Sequence, residues 1–283
     1  MQQNEMSFWD HLEELRWTIF RSVLALFVFA ILFFAFMRGE HGLFEAVITA
    51  PARGSFITYQ LFCKAASYFG VVSDFCDTSF QISIVNIKLA SQFFTHMTTS
   101  FWLALVLAFP YLMYEIWKFI SPALYENEKR NVRWVFLFGT GMFFLGCAVG
   151  YFMVFPVTLR FLATYQISES VVEQVSLESY MDNFLMLIFI MGVMFEMPLL
   201  SWLLSKLGLI NRSHFHQYRR HAVVGLLVLA AFITPSGDPF TLMIVFIPLY
   251  SLFELSAFFV KPAPKDDDEE DEEEENLPAV AAD

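Results

Sequence analysis

Six apolar stretches divide this chain and leave it little room for any environment but a membrane. A helix needs about 20 apolar residues to cross about 30 Å of hydrocarbon. Residues 17–37, 93–117, 134–156, 181–205 and 240–260 meet that length, while 222–234 has only 13 residues. Pro110, Pro198 and Pro248 fall inside these stretches. Membrane helices tolerate proline because neighbours and water satisfy the freed carbonyls, so kinks are expected at these three points. Only 16% of the residues are charged, against about 25% in a soluble domain. Such a chain cannot build a polar surface. Disordered, collagenous, small disulfide-rich and nucleic-acid-binding proteins are excluded, and a soluble enzyme fits poorly. The expected fold is all-α: a polytopic membrane protein of six transmembrane helices, with a shortened fifth span and a concave bundle face. At about 1.5 Å per residue the fifth span reaches only about 20 Å. The turn at 235–239, with Asp238, is therefore expected below the bilayer surface, under a thinned bilayer or a partner.

Charge gives the orientation. The formal net charge is −12, but Asp266–Glu275 is a run of ten acids, and without it 17 basic residues face 19 acidic ones. The acidity belongs to a tail, expected to be solvated and disordered. Its reading as a solubilising segment stands beside one as a docking segment. Six crossings put both termini on one side with 12 of the Lys and Arg residues, and leave five (Arg38, Arg53, Lys64, Lys88 and Arg160) on the other. The positive-inside rule then makes both termini cytoplasmic. The expected organisation is a cytoplasmic amphipathic segment at 1–16, a membrane domain at 17–260 and an acidic tail at 261–283. An outer loop is expected at about 38–92 and a first cytoplasmic loop at about 118–133. Glu5, Asp10, Glu13 and Glu14 precede the first span in place of a basic leader, so no cleavable signal is expected.

Cys63 and Cys76 both fall in the outer loop. An oxidising compartment would allow them to pair, closing about 14 residues and contributing about 3 kcal/mol in the chain-entropy model. Spacing alone leaves paired and free thiols both open. The alternation in Phe80–Lys88 suggests a short strand, and Cys147 reads as a packing residue inside the third span.

The polar residues that a bilayer does not explain are few. Ser7 and Asp10 resemble a capping box, so a helix is expected from about Phe8. Phe8, Leu12, Leu15 and Ile19 share one face, and Asp10, Glu14, Trp17 and Arg21 another. In the first cytoplasmic loop Glu126 and Glu128 lie among Lys129, Arg130 and Arg133. A carboxylate at this level can accept both arms of an arginine fork, which lysine cannot match. Glu196 stands nine residues from the inner end of the fourth span, about 13 Å along the helix and close to the midplane. Intramembrane carboxylates usually face a cavity, a partner or an ion path. Glu254 in the sixth span reads as structural. There is no phosphate-binding glycine loop, no dinucleotide fingerprint and no metal-ligand spacing, so neither catalysis nor a cofactor is expected. A proton-coupled small-solute transporter using Glu196 is the competing class. It would call for inverted repeats and paired broken helices, and neither is visible.

Several motifs together resemble the TatC family, core subunits of the twin-arginine protein translocase. His11–Arg16, HLEELR, is similar to that family's opening HLxELR, and Phe119–Arg130, FISPALYENEKR, to its first cytoplasmic loop. Phe195–Pro198, FEMP, with Gly192 before it, resembles a GxxFExP signature. Ile233–Pro235 with Asp238, and Ile247–Glu254, resemble the last two spans. The resemblance runs from about residue 8 to about 260. The cysteine pair and the acidic tail lie outside it.

The resemblance implies a receptor for twin-arginine signal peptides of folded precursors, in the bacterial inner membrane, driven by the proton-motive force and not by ATP. It maps signal contacts onto Glu14 and Glu128, with Leu15, Arg16, Phe119, Pro122 and Tyr125 on the same surface. Glu196 maps to the acid of the concave face, with Asp238 near the same membrane region and Pro51 in the outer loop. Implied partners are TatA- and TatB-type single-span subunits, further copies of the chain within a larger complex, and membrane lipid.

Overall fold

The structure is a computed structural model that describes residues 8–37, 42–68, 76, 80–120, 132–165, 168, 174–206, 208–234 and 237–260. Pro122, Tyr125, Glu126, Glu128, Pro235 and the tail 261–283 lie outside the described residues.

The chain is mostly helical. Helix α1 (Phe8–Phe36) runs unbroken from the amphipathic N-terminal stretch into the first apolar span. Helix α2 (Ile57–Tyr68) follows a short wide turn (Phe44–Ile48) and a single tight turn (Ala50–Ala52). Strand β1 (Ile84–Val85) leads to α3 (Ser91–Ile120), which continues through Pro110. Helix α4 (Val132–Val149) passes through a widened turn (Gly150–Val154) into α5 (Phe155–Thr164). The third span thus extends beyond Pro156. Proline fits the opening turn of α5, where its missing N–H is not needed. Strand β2 (Val175–Ser176) pairs with β1 in parallel, Ile84 opposite Val175. The strand expected in Phe80–Lys88 is therefore two paired residues long.

The fourth span is two helices, α6 (Leu177–Met194) and α7 (Met197–Lys206). Pro198 has no N–H for the carbonyl of Met194, and the ladder tightens there. The Glu196 amide turns to Val193 O at 3.1 Å. Short α8 (Arg212–Gln217) precedes α9 (Arg219–Ile233) and α10 (Pro239–Phe259), which continues through Pro248. Among the described residues five helical stretches are long and apolar enough to cross a membrane: His11–Phe36, Ser91–Phe119, Leu137–Thr164, Leu177–Lys206 and Pro239–Phe259. The sixth expected crossing, α9, has 15 residues and falls short of that length.

Close backbone approach sets the centre. A Cβ on Gly146 would come within 2.5 Å of Met191 O, and one on Gly192 within 2.7 Å of Cys147 Sγ. Small residues let α4 and α6 meet at this distance, as in membrane bundles generally. The buried core runs from Ile48 and Ala52 through Val154, Phe155, Tyr180 and Phe184 to Leu226, Val245 and Leu249.

Candidate functional site

The two longest helices, α1 and α3, lie side by side, and their polar residues meet near the N-terminal end of α1 and the C-terminal end of α3. His11 stacks on Phe119 with ring centroids 4.3 Å apart. One turn deeper, Lys118 Nζ lies 3.6 Å from Glu14 Oε1, with both side chains partly exposed. Deeper again, Arg21 Nη2 lies 3.1 Å from Glu115 Oε2, and the other oxygen of Glu115 accepts from the Tyr111 hydroxyl at 2.9 Å. Glu115 is only 3% exposed. On the outside of α1, Arg16 donates to Glu13 at 3.3 Å and its guanidinium lies 5.7 Å from the Trp17 ring centroid. Glu13, Glu14, Trp17 and Arg21 line a shallow depression of about 290 Å³.

Near this end Glu14 meets Lys118 and His11 meets Phe119, while Arg16 turns to Glu13 on the outside of α1. The same end also includes a residue pair that the sequence analysis did not single out. Glu115 is a charge inside the second apolar span, the same signal that marked Glu196. Arg21 was placed on one helix face with Glu14 and Trp17, but with no partner assigned to it.

Glu196 occupies the α6–α7 break and is 6% exposed. Neither carboxylate oxygen has a hydrogen-bond partner among the described residues. A Cβ added to Gly139 of α4 would meet Glu196 Oε2 at 3.3 Å and Leu199 Cδ2 at 2.6 Å. The carboxylate is thus packed under α4 beside a glycine. Asp238 has a definite local role: it caps α10, its Oδ1 accepting from the amides of Phe240 (3.0 Å) and Thr241 (2.9 Å). Glu254 takes both arms of Arg219, Nε at 2.6 Å to Oε1 and Nη2 to Oε2, and accepts from Tyr250 at 2.7 Å. This ties α9 to α10.

At the opposite end the 42–68 segment forms a cap. The Tyr59 hydroxyl lies 2.9 Å from Pro51 O and 3.0 Å from Pro156 O, so Pro51 is held against α5 through one phenol. Burial pushes that phenol above its ordinary range, and nearby Arg160 pulls it the other way. Tyr180 donates to Ile48 O at 2.6 Å, and Tyr151 to Val47 O at 2.8 Å. Arg160 is 5% exposed, its guanidinium 4.9 Å from the Tyr59 ring centroid and 4.6 Å from that of Phe80. The structure joins Cys63 and Cys76 in a disulfide with Cα atoms 4.9 Å apart. Among the described residues no three His, Cys, Asp or Glu side chains form a metal-binding group.

Comparison with known proteins gives one consistent result. The family model for the Sec-independent protein translocase protein TatC matches residues 10–248. A TatC from Blattabacterium (Periplaneta americana) is 36% identical over 258 residues, covering 91% of this chain and 96% of that one. A Deinococcus radiodurans TatC is 33% identical over 249 residues, covering 87% and 82%. A crystal structure of a twin-arginine translocase receptor, TatC, superposes with a TM-score of 0.71 at 27% identity, over 89% of this chain and 99% of that one. The chain is a membrane protein of the Tat protein-transport system and belongs to the TatC family.

Proposed function

We propose that this chain is the signal-peptide receptor and core subunit of its translocase, and that Glu14 receives one arginine of a twin-arginine signal. The observation that carries the reading is the position of Glu14. It is a partly exposed carboxylate at a depression lined by Glu13, Trp17 and Arg21, and among the described residues its one cation contact is a loose 3.6 Å approach by Lys118. A guanidinium can replace that single ammonium contact with two parallel hydrogen bonds, and Trp17 offers a ring face beside them. Glu128 supplies the second carboxylate, and Leu15, Phe119, Pro122 and Tyr125 the apolar wall along which the signal lies. Arg16 keeps Glu13 paired, so that Glu14 is the acid left for the ligand.

In the same reading both termini face the cytoplasm of a bacterial inner membrane. The short α9 completes a sixth crossing where the bilayer thins. Glu196, in the α6–α7 break, is the polar foothold for a TatA- or TatB-type single-span partner, and Asp238 and Pro51 hold the ends of the surface that the partner meets. The proton-motive force drives the cycle without a bound cofactor.

The test is binding of a twin-arginine signal peptide to the full chain in nanodiscs, against a twin-lysine peptide. Hydrogen bonds to charged groups contribute about 1.5–3 kcal/mol each. Glu14→Ala/Glu128→Ala is therefore expected to weaken the arginine peptide by at least about tenfold per site and to abolish the preference over lysine. Equal binding of both peptides, unchanged in the double variant, would reject the site.

A further inference from the structure

Arg21 is an awkward neighbour for a site that must accept cations. It lines the same depression as Glu14, one charge of the wrong sign on the recognition face. Glu115 is what answers it. This acid is buried to 3% exposure in α3, points at Arg21 across the helix interface, and has its second oxygen taken by Tyr111. The pair is a single 3.1 Å contact, and Arg21 Nε has no hydrogen-bond acceptor among the described residues. A pair built only to bind α1 to α3 would be expected to use the full fork. The charges that face one another here are Glu13 with Arg16, Glu14 with Lys118, and Glu115 with Arg21. Three acids meet three bases, and the described part of the face is neutral. Without the charge of Glu115 it becomes a net cation.

We propose that Glu115 is a positioning residue that tunes the recognition face, cancelling Arg21 so that a dicationic peptide can settle on Glu14. The proposal rests on the receptor reading above. The crossed signs also set register. The helices are antiparallel, with acid on α1 meeting base on α3 at Glu14–Lys118 and the reverse at Arg21–Glu115. A slip of α1 along α3 in either direction separates these oppositely charged partners and leaves the buried Glu115 without its cation, which opposes it. Arg21 therefore cannot leave the depression while Glu14 stays in it.

Seven helical residues separate Glu14 from Arg21, about 10 Å along the axis. One uncompensated charge at that distance changes affinity for a unit cation by roughly two- to fifteenfold for effective dielectrics of about 80 to 20. The experiment uses the full chain in neutral-lipid nanodiscs and a twin-arginine peptide, with Glu115→Gln, Arg21→Gln and the double variant. The expected result is binding weakened by that factor in Glu115→Gln, with a loss that shrinks as salt is raised, and restored when Arg21→Gln is added. A purely structural pair would weaken binding in both single variants alike. That outcome, or unchanged binding in Glu115→Gln, overturns the proposal. Should Glu115→Gln fail to fold, Arg21→Gln decides alone: tighter binding than wild type supports the proposal, and equal or weaker binding overturns it. If the wild-type chain shows no preference for arginine over lysine, the receptor reading falls and this proposal with it. If the preference is present, only the charge argument is at stake.

Discussion

The two ends of the bundle are held together by opposite chemistry. At the cap, three phenols donate to backbone carbonyls of Pro51 or Pro156, Val47 and Ile48, and a buried guanidinium lies against two rings that meet edge to face. Those bonds are short and mostly buried, and they join segments far apart in sequence. At the other end, α1 meets α3 through a partly exposed pair, Lys118–Glu14 at 3.6 Å, and one turn or more deeper through Arg21 and the buried Glu115 at 3.1 Å, while the exposed Arg16–Glu13 pair lies within α1. Exposed pairs are worth about 0–1 kcal/mol each, while a buried unsatisfied carbonyl costs about 1–3 kcal/mol. The cap is therefore expensive to rearrange, and the outermost α1–α3 contact, at Glu14, is cheap. The proposed receptor role, with partners exchanged at Glu14, would use that asymmetry.

Substitutions at the cap should lower stability and leave peptide binding per folded molecule untouched. The largest loss is expected from Tyr59→Ala. It empties a fully buried ring site and removes one of the two rings that Arg160 lies against, and truncations of this size cost about 3–5 kcal/mol. Denaturant unfolding in detergent reads it directly. Cys63→Ser/Cys76→Ser is next, at about 3 kcal/mol in the chain-entropy model. A peptide affinity that falls in step with either loss would break the comparison, since it would couple the cap to the receptor end.

Tyr180→Phe should cost less, about 1–2 kcal/mol, because only the bond to Ile48 O is lost while the ring stays packed. The phenol of Tyr59 adds a pH signature. Its pKa is raised in the folded state, so the stability it contributes is complete below its unfolded value, about 10. That stability is lost as pH climbs above about 10. Unfolding midpoints should fall in alkaline buffer, and less steeply in Tyr59→Phe.

The helices were legible because a bilayer demands one long apolar run per crossing, and such runs stand out in any composition window. The proline at 198 was legible as a break, but Pro110 and Pro248 carried the same signal and α3 and α10 continue through them. What the sequence hid were partnerships across the chain. Tyr59, Tyr151 and Tyr180 look like ordinary aromatic residues until the fold brings them to carbonyls about 8 to 132 positions away. Asp238 reads as an intramembrane acid until α10 is seen to start on it. Glu196 was found by its cost in hydrocarbon, but its burial beneath Gly139 depends on how α4 and α7 cross, which no local pattern encodes. Glu115 carried the same signal as Glu196, and only its buried contact with Arg21 shows what it faces.

The smallest expected effect sharpens the comparison most. Lys118 occupies Glu14 in the free chain, so an arriving arginine must displace it. Removing it as Lys118→Met keeps the packing of the stem on α3 and frees the carboxylate. The contact is loose and partly exposed, so its loss should tighten binding by at most about fivefold, the equivalent of about 1 kcal/mol. The gain must be the same for arginine and lysine peptides. Lys118–Glu14 exists only in the free state, and a term of the free state cancels from the ratio of two affinities. A tightening shared equally by both peptides, measured by titration in nanodiscs, would place Lys118 as an internal competitor that sets the binding threshold without setting selectivity. A changed ratio would mean that Lys118 stays beside Glu14 after the peptide arrives and acts on the bound cation. Weaker binding would mean that Lys118 holds α1 against α3, and the α1–α3 end would then be less free to rearrange than its exposed charges suggest.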